Sequence, residues 1–257
     1  ARLMFRKVLV ANRGEIAVRV FRTCARLGIE TVAVVAPDDR GALHARRADR
    51  TVEISSYLDA SKHVRAALEA GADAIHPGYG FLSESPAFAE SGIAAGVVWV
   101  GPSPHALRLG GDKLAAHAIA VENGVPTLPQ GSPEEIGFPL VIKAAAGGGG
   151  RGMRVVRSPD ELAEAYAAAR REAKGAFGDD TVFCERYLER PRHVEAQLLG
   201  HRGGITVLGG RDCSIQRRHQ KLIEESPPPG LDPGAWAQIA AGATATGAAS
   251  TTPLERL

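Results

Sequence analysis

Short apolar runs alternate with amphipathic stretches over the first hundred residues of the chain. Runs of mostly aliphatic residues, which are typical of buried strands, occur at residues 7–11, 31–35, 51–54, 74–76 and 97–100. Apolar side chains recur at helical spacing from Glu15 to Leu27 and again over residues 60–70, and each stretch stops at a glycine. This alternation predicts an α/β domain with a parallel sheet, whose ligands bind at the carboxyl ends of the strands.

The pattern changes near Gly110. Residues 113–123 predict a helix, and residues 125–137 are rich in Pro and Gly and predict a connector. Two strand-like runs, at 140–143 and 153–156, are separated only by a glycine-rich segment, so they predict a hairpin.

The hairpin is followed by a helix signal and then by more strands. Ser158, Pro159 and Glu161 predict the N-cap, first-turn proline and capping box of a helix that continues to about Lys174. Apolar runs at 182–186, 193–199 and 205–209 have no helices between them and predict antiparallel strands. The second half is therefore expected to be α+β. Residues 233–254 carry no charged side chain and predict at most one helix, with low order beyond it.

Composition narrows the class of protein. Hydrophobic residues make up 44% and charged residues 23%, which is typical of a globular chain. The formal net charge is only +2, so we expect neither a nucleic acid nor a membrane as partner. The three cysteines form no CxxC pair and predict no disulfide framework or zinc site. Together with the lack of a signal-peptide apolar region, they indicate a cytoplasmic protein.

The strongest chemical signal is a run of glycines between the two hairpin strands. Its members are Gly147, Gly148, Gly149, Gly150 and Gly152. The run matches G-x-G-x-x-G but leads into a strand rather than a helix, which excludes the dinucleotide-binding interpretation, and no Walker motif is present. A glycine hairpin can close over a triphosphate with its backbone N–H groups, while Lys143 on the adjoining strand adds a positive charge. A flexible surface hairpin is the alternative.

Two further segments carry candidate chemistry. Basic and amide side chains crowd residues 214–221, where they either bind a small anion and a sugar or form a solvated basic strand. Residues 76–84 form a Gly/Pro loop at the end of a predicted strand, where His76 and Tyr79 fit a rigid loop as well as a ligand site. We assign no catalytic role to His76 or Tyr79.

Taken together, these segments resemble the biotin carboxylase family of the ATP-grasp superfamily, up to about Gly230. The matching segments occur in the family's order: ANRGEIAVRVFR from Ala11, HPGYGFLSE from His76, GDK from Gly111, IKAAAGGGGRGMRVV from Ile142, PRHVEAQ from Pro191 and RDCSIQRRHQKLIEE from Arg211. The resemblance implies an N-terminal Rossmann-like (pre-ATP-grasp) domain at residues 1–110. It implies an incomplete α+β ATP-grasp domain at residues 111–257, with a lid at about 126–188.

The family's activity implies roles for residues of this chain. ATP activates bicarbonate as carboxyphosphate, and the carboxyl group passes to N1 of biotin on a biotin carboxyl carrier protein. Lys113, Lys143, Gly149 and Gly150 match phosphate-binding positions. The nucleotide contacts expected elsewhere are Met153, the adenine-reading segment Glu185, Arg186, Tyr187 and Leu188, and the ribose-side residues His193, Gln216 and His219. Lys221, which matches the lysine that contacts bicarbonate, and Arg218 are the expected catalytic residues.

The same resemblance implies partners for the chain, and this sequence also departs from the family's pattern. A carboxyltransferase would use the carboxylated biotin, and the family enzyme forms a homodimer. Residues 221–226 (KLIEES) look more like acyl-CoA carboxylases, of the acetyl- or propionyl-CoA type used in fatty acid biosynthesis, than like pyruvate carboxylases. The family's Mg²⁺ ligands, general base and bicarbonate-binding arginines lie downstream and have no counterpart here. Residues 231–257 do not resemble the family's continuation, and the connector at 126–137 is short.

Three functional hypotheses follow. The chain is a biotin carboxylase or its nucleotide-binding portion, apparently truncated. Alternatively, it is a non-catalytic nucleotide-binding or assembly fragment, or another ATP-grasp ligase that acts on a carboxylate.

Overall fold

The computed structural model describes residues 5–146, 153–201, 203–217 and 220–250. The chain divides into two compact units, Ala1–Arg108 and Leu109–Leu257. None of the described helices is both long and apolar enough to cross a membrane.

The first unit is built on a five-stranded parallel sheet with strand order β3-β2-β1-β4-β5. Its strands are β1 (Lys7–Val10), β2 (Glu30–Val35), β3 (Arg50–Glu53), β4 (Ala74–His76) and β5 (Val98–Trp99). Its helices are α1 (Gly14–Leu27), α2 (Leu43–Arg47), α3 (Ala60–Ala70), α4 (Pro86–Ala94) and α5 (Pro104–Gly111), the last of which runs past the boundary in sequence. The expected parallel-sheet domain is thus confirmed.

Helix α1 forms because its apolar residues lie on one face. Ala17, Phe21 and Cys24 are buried there. Gly28 ends the helix with φ of 69°, a left-handed conformation that glycine adopts at little cost. The sequence prediction for this helix is confirmed.

A four-stranded sheet opens the second unit, with order β6-β9-β7-β8. Its strands are β6 (Gln130–Gly131), β7 (Leu140–Ala144), β8 (Arg154–Val156) and β9 (Val182–Arg186), and the helices around it are α6 (Lys113–Glu122), α7 (Pro133–Ile136) and α8 (Leu162–Phe177). Leu140 and Ile142 of β7 are fully buried with Ala169 of α8, so α8 covers one face of the sheet. The predicted hairpin is confirmed, because β7 and β8 pair antiparallel.

A second sheet of three antiparallel strands completes this unit. It consists of β10 (Val194–His201), β11 (Gly204–Arg217) and β12 (Gln220–Glu225). Helix α9 (Pro233–Ser250) packs on β10 and β11, where Gly247 lies close to Leu198 and Ile205. The antiparallel pairing and the single helix after residue 233 are confirmed, whereas the low order expected beyond it concerns residues 251–257, outside the described residues. The second unit is α+β, as expected of an ATP-grasp-like region.

One local prediction was wrong, and the segment predicted as a connector contains short elements. The connector at 125–137 contains β6 and α7, and α7 begins with a complete capping box: Ser132 Oγ accepts from the N–H of Glu135, and the Glu135 carboxylate accepts from the N–H of Ser132. At Ser158 no such box forms, because the side chain of Glu161 accepts from the N–H of Arg157 instead. A 3₁₀ turn, Pro159–Glu161, therefore precedes α8.

Candidate functional site

The candidate site begins on the face of the four-stranded sheet that lies opposite α8. Side chains alternate between the two faces of a strand, so the burial of Ile142 and Cys184 against α8 places Lys143 and Glu185 on the other face. Lys143 pairs in register with Phe183, and Glu185 with Val141, which makes Lys143 and Glu185 diagonal neighbours.

Lys143 and Glu185 form an ion pair. The Lys143 Nζ lies 2.7 Å from Oε1 of Glu185, and the two side chains are 26% and 12% exposed. The other carboxylate oxygen of Glu185 accepts from Nε2 of Gln130 at 3.3 Å. Lys143 is therefore held, partly shielded from water, at the end of β7 that leads into residue 147.

Lys113 lies beside this pair. It is the first residue of α6, which is capped by the Asp112 side chain. Its Nζ donates to the carbonyl of Ala144 at 2.9 Å, and its N–H donates to the carbonyl of Ala145 at 3.2 Å. Burial and, next, the positive charge of Lys143 lower the pKa of the Lys113 ammonium. The structure thus brings Lys113 and Lys143, which are well separated in the chain, to the same strand end.

Several residues that the sequence singled out lie outside the described residues. They are Gly147, Gly148, Gly149, Gly150, Gly152, Arg218 and His219. Met153 is the first described residue after the glycine run; it is half-buried, and its carbonyl accepts from Arg154 at 2.8 Å.

The segment expected to read adenine begins at Glu185. Arg186 is the last residue of β9 and donates its N–H to the carbonyl of Pro129, while Tyr187 donates its N–H to the carbonyl of Pro139. The guanidinium of Arg157 lies over the Tyr187 ring, 5.8 Å from its centroid. Leu188 is 46% exposed. Backbone anchoring therefore fixes the start of this segment, and Leu188 remains open to solvent.

A second group of polar residues lies on the three-stranded sheet, around Lys221. Lys221 Nζ donates to Oε2 of Glu195 at 2.5 Å, and Glu195 also pairs with Arg211. Arg211 reaches Oε2 of Glu224 at 2.7 Å. The hydrogen bond that Lys221 donates to Glu195 raises the pKa of Lys221, so this lysine is a stable cation. Two basic and two acidic side chains thus form one network across β10, β11 and β12.

His193, which directly precedes β10, contacts Gln216, near the end of β11 in the same sheet. Gln216 Nε2 lies 2.7 Å from Nδ1 of His193 and also donates to the carbonyl of Cys213 at 2.8 Å. Beside them, Asp212 accepts from Ser214 and Arg192, which lowers its pKa to about 2. The described contacts therefore form two groups: Lys113, Lys143 and Glu185 in one, and His193 and Gln216 with the neighbouring Lys221 network in the other.

Magnesium, which the family resemblance implies, does not fit these acids. Glu195, Cys213 and Glu224 bring their ligand atoms within 4.8 Å of one another. However, both carboxylates are already paired with Arg211 or Lys221. Burial and the nearby charge of Glu195 raise the pKa of the Cys213 thiol, and a neutral thiol is a poor ligand for a cation that prefers oxygen. We assign no metal ligand in the described part of the chain.

The loop at 76–84 has the features of a rigid structural loop. Asn12 donates to the carbonyls of Pro77 and Tyr79, and a Cβ at Gly78, where φ is +67°, would lie 2.7 Å from the Asn12 amide. His76 Nδ1 accepts from the N–H of Gly78, and burial lowers the pKa of His76. Tyr79 is 60% exposed.

Sequence reasoning missed three site residues. Glu195 stands inside the PRHVEAQ segment and Arg211 begins the RDCSIQ segment, yet neither was given a role. Glu195 pairs with Lys221, and Arg211 pairs with Glu195 and Glu224; both sets of contacts depend on strand register, which single-sequence patterns do not provide. Gln130 was missed because it lies in the connector, whose Pro/Gly-rich sequence shows no strand pattern.

Comparisons with known proteins cover most of the chain. Residues 4–107 match the family described as biotin carboxylase, N-terminal domain, and residues 123–250 match carbamoyl-phosphate synthase L chain, ATP binding domain. A biotin carboxylase of Nostoc sp. is 49% identical over 249 residues, which are 90% of this chain and 56% of that protein. A mitochondrial pyruvate carboxylase of Rattus norvegicus is also 49% identical, over 89% of this chain and 21% of that protein.

Solved structures give the same result. The biotin carboxylase domain dimer of Hydrogenobacter thermophilus 2-oxoglutarate carboxylase, in complex with MgADP, ADP and bicarbonate, is 42% identical with a TM-score of 0.92. The match covers 97% of this chain and 59% of that chain.

These matches correct one expectation about the tail. The second family match continues to residue 250, so α9 belongs to the family's ATP-binding domain, and the expectation that residues after 230 depart from the family was wrong for 231–250. The likeness of this helix to the family was missed because residues 233–254 carry no charged side chain. The chain spans about half the length of the biotin carboxylases it matches.

Proposed function

Because the chain belongs to the biotin carboxylase family, we propose that it binds ATP and forms the nucleotide-binding part of an enzyme that carboxylates biotin. In that reaction, ATP converts bicarbonate to carboxyphosphate, and the carboxyl group passes to N1 of biotin. The observation that carries the proposal is the convergence of Lys113 and Lys143 where β7 enters the glycine run. Two adjacent ammonium groups suit a polyphosphate, whose charge both can neutralise.

The first group of residues has the chemistry of the nucleotide subsite. Lys113 and Lys143 would bind phosphate oxygens, together with backbone N–H groups of the glycine run 147–152. Met153 would pack on the nucleotide. The segment Glu185, Arg186, Tyr187 and Leu188 would read adenine, mainly through the backbone of Glu185 and Leu188. The ion pair of Glu185 with Lys143 supports this, because it links the adenine segment to a phosphate-binding cation.

The second group has the chemistry of an anion and ribose subsite. Lys221, kept cationic by Glu195, would bind bicarbonate with Arg218, and both are our candidate catalytic residues. His193, Gln216 and His219 would contact the ribose side. No step is assigned to Mg²⁺, since the described acids do not fit it.

The wider assignments are also proposals. We assign residues 1–110 to the N-terminal domain and residues 111–257 to the ATP-grasp domain, with the lid at about 126–188. The expected partners are a biotin carboxyl carrier protein, a carboxyltransferase and a second copy of the enzyme; the dimer of the Hydrogenobacter domain supports the last. The three cysteines are buried and free, which supports a reducing, cytoplasmic compartment.

The most specific of these proposals concerns the acyl substrate. KLIEES at 221–226 supports an acyl-CoA carboxylase of the acetyl- or propionyl-CoA type, with a role in fatty acid biosynthesis. Identity to the Nostoc biotin carboxylase and to the rat pyruvate carboxylase is equal, at 49%, so the motif alone carries this preference.

An ATPase assay on the polypeptide that contains this chain tests the proposed activity. ADP release should rise when bicarbonate and free biotin are added together, and the rise should be lost in Lys221→Ala. An ATP-grasp ligase of another kind would release ADP only with a different carboxylate and would not respond to biotin.

A further inference from the structure

Gln130 lies directly opposite Glu185, on the edge strand β6. The β6–β9 register pairs Gln130 with Glu185, and the carbonyl of Pro129 accepts from the N–H of Arg186 at 3.0 Å. Residues opposite each other in an antiparallel pair share a face, so Gln130 and Glu185 point to the same side of the sheet as Lys143.

The Glu185 carboxylate is shared between two donors. Oε1 accepts from Lys143 at 2.7 Å, and Oε2 accepts from the Gln130 amide at 3.3 Å. A carboxylate has two oxygens, and here each has a different partner. An ammonium has three donors, so an arrangement in which Lys143 gives only one of them to Glu185 keeps two for other acceptors.

The turn after Gln130 is tightly constrained. A Cβ at Gly131 would lie 2.6 Å from Oε2 of Glu135, so a larger residue there would displace that carboxylate. That same carboxylate oxygen accepts from the N–H of Ser132 at 2.9 Å, which completes the capping box of α7. The position of Gln130 is therefore fixed on both sides. Before it, Pro129 accepts a backbone hydrogen bond from β9; after it, Ser132 caps α7.

We propose that Gln130 is a positioning residue of the nucleotide site: it holds the second oxygen of Glu185 away from Lys143. This inference rests on the proposed binding of ATP. Without the Gln130 amide, Oε2 of Glu185 lacks a partner and turns toward the Lys143 ammonium, which then gives two donors to Glu185. Lys143 then has fewer N–H donors for phosphate. The ammonium is no longer held in the orientation that suits ATP, so preorganisation of the site is lost.

The test uses Gln130→Leu in the polypeptide that contains this chain, with Gln238→Leu on the exposed surface of α9 as the matched control. Titration calorimetry with ATP should show affinity reduced about threefold to tenfold in Gln130→Leu, the size of one hydrogen bond. Adenosine, which has no phosphate, should bind Gln130→Leu and wild type equally. In a Lys143→Ala background, Gln130→Leu should cause no further loss of ATP affinity.

A nucleotide-free measurement separates this inference from the proposed function. In ¹⁵N-lysine spectra, the ammonium signal of Lys143, identified by its absence in Lys143→Ala, should shift in Gln130→Leu and stay in place in Gln238→Leu. An unchanged Lys143 signal, or equal losses for ATP and adenosine, would overturn the positioning role. If the signal shifts but wild type binds no ATP, the proposed function fails while the contact between Gln130, Glu185 and Lys143 stands.

Discussion

Lys143 is the residue on which phosphate binding depends most directly. Lys143→Ala removes one charge-assisted hydrogen bond, typically about 1.5–3 kcal/mol, so ATP affinity should fall roughly tenfold or more. Titration calorimetry measures this, and Lys174→Ala is the control, because the Lys174 ammonium donates to the Gly178 carbonyl on exposed α8. Unchanged affinity in a folded Lys143→Ala protein would reject the phosphate role.

Lys113 should make ATP binding sensitive to alkaline pH. Burial and the charge of Lys143 lower its pKa below the ordinary value of 10.5. A lowered pKa means that the charged form is lost earlier as pH rises, so ATP affinity should decline before pH 10.5 is reached. Lys113→Arg, whose guanidinium stays charged, should shift the decline to higher pH. Calorimetric titrations across an alkaline pH series would contradict the role of Lys113 if both proteins declined together.

A residue type and a local pattern were sufficient to predict the strand position of Lys143, while its role stays a prediction. Lys143 was predicted because a strand lysine precedes a glycine run, and its position at the end of β7 is confirmed. Gln130, Glu195 and Arg211 could not be predicted, because their contacts depend on which residues of paired strands lie opposite each other. A one-residue shift in register would turn each of these side chains to the other face.

At the level of elements, the glycine run should respond directly to nucleotide. Backbone N–H groups that bind phosphate are withdrawn from exchange with water, so amide exchange across residues 146–153 should slow when ATP is added. Hydrogen-exchange mass spectrometry resolves this segment. Protection at residues 12–15 instead would indicate that the first unit, at the carboxyl end of β1, holds the nucleotide.

Two short segments with the same S-P-x-E pattern show why element boundaries are hard to predict. Ser132 and Glu135 form a capping box, whereas Ser158 and Glu161 do not. In the second case the carboxylate reaches one residue further back, to the N–H of Arg157, and a 3₁₀ turn results. The long strands and helices follow from apolar periodicity, but a four-residue helix such as α7 depends on which hydrogen bond wins locally.

For the whole molecule, we predict that the isolated 257-residue chain does not carboxylate biotin. Transfer of a phosphoryl group between two anions needs metal ions, and each usually requires carboxylate ligands. Among the described residues, the acids around Lys221 are neutralised by Arg211 and Lys221. The isolated chain should bind nucleotide weakly at best and release no ADP in response to bicarbonate. Biotin-dependent turnover that is lost in Lys221→Ala would contradict this.

The α7 capping box has a consequence for mutational tolerance. The Ser132 hydroxyl caps α7 by accepting from the N–H of Glu135, and it thereby fixes the turn that carries Gln130. Loss of such a cap typically costs about 1 kcal/mol, and here that cost falls on the two-residue strand β6. In a saturation library selected for growth, substitutions at Ser132 and Gly131 should therefore group with those at Gln130 rather than with neutral loop positions. A count of the residues near the ligand would then underestimate how many positions are under selection for ATP binding.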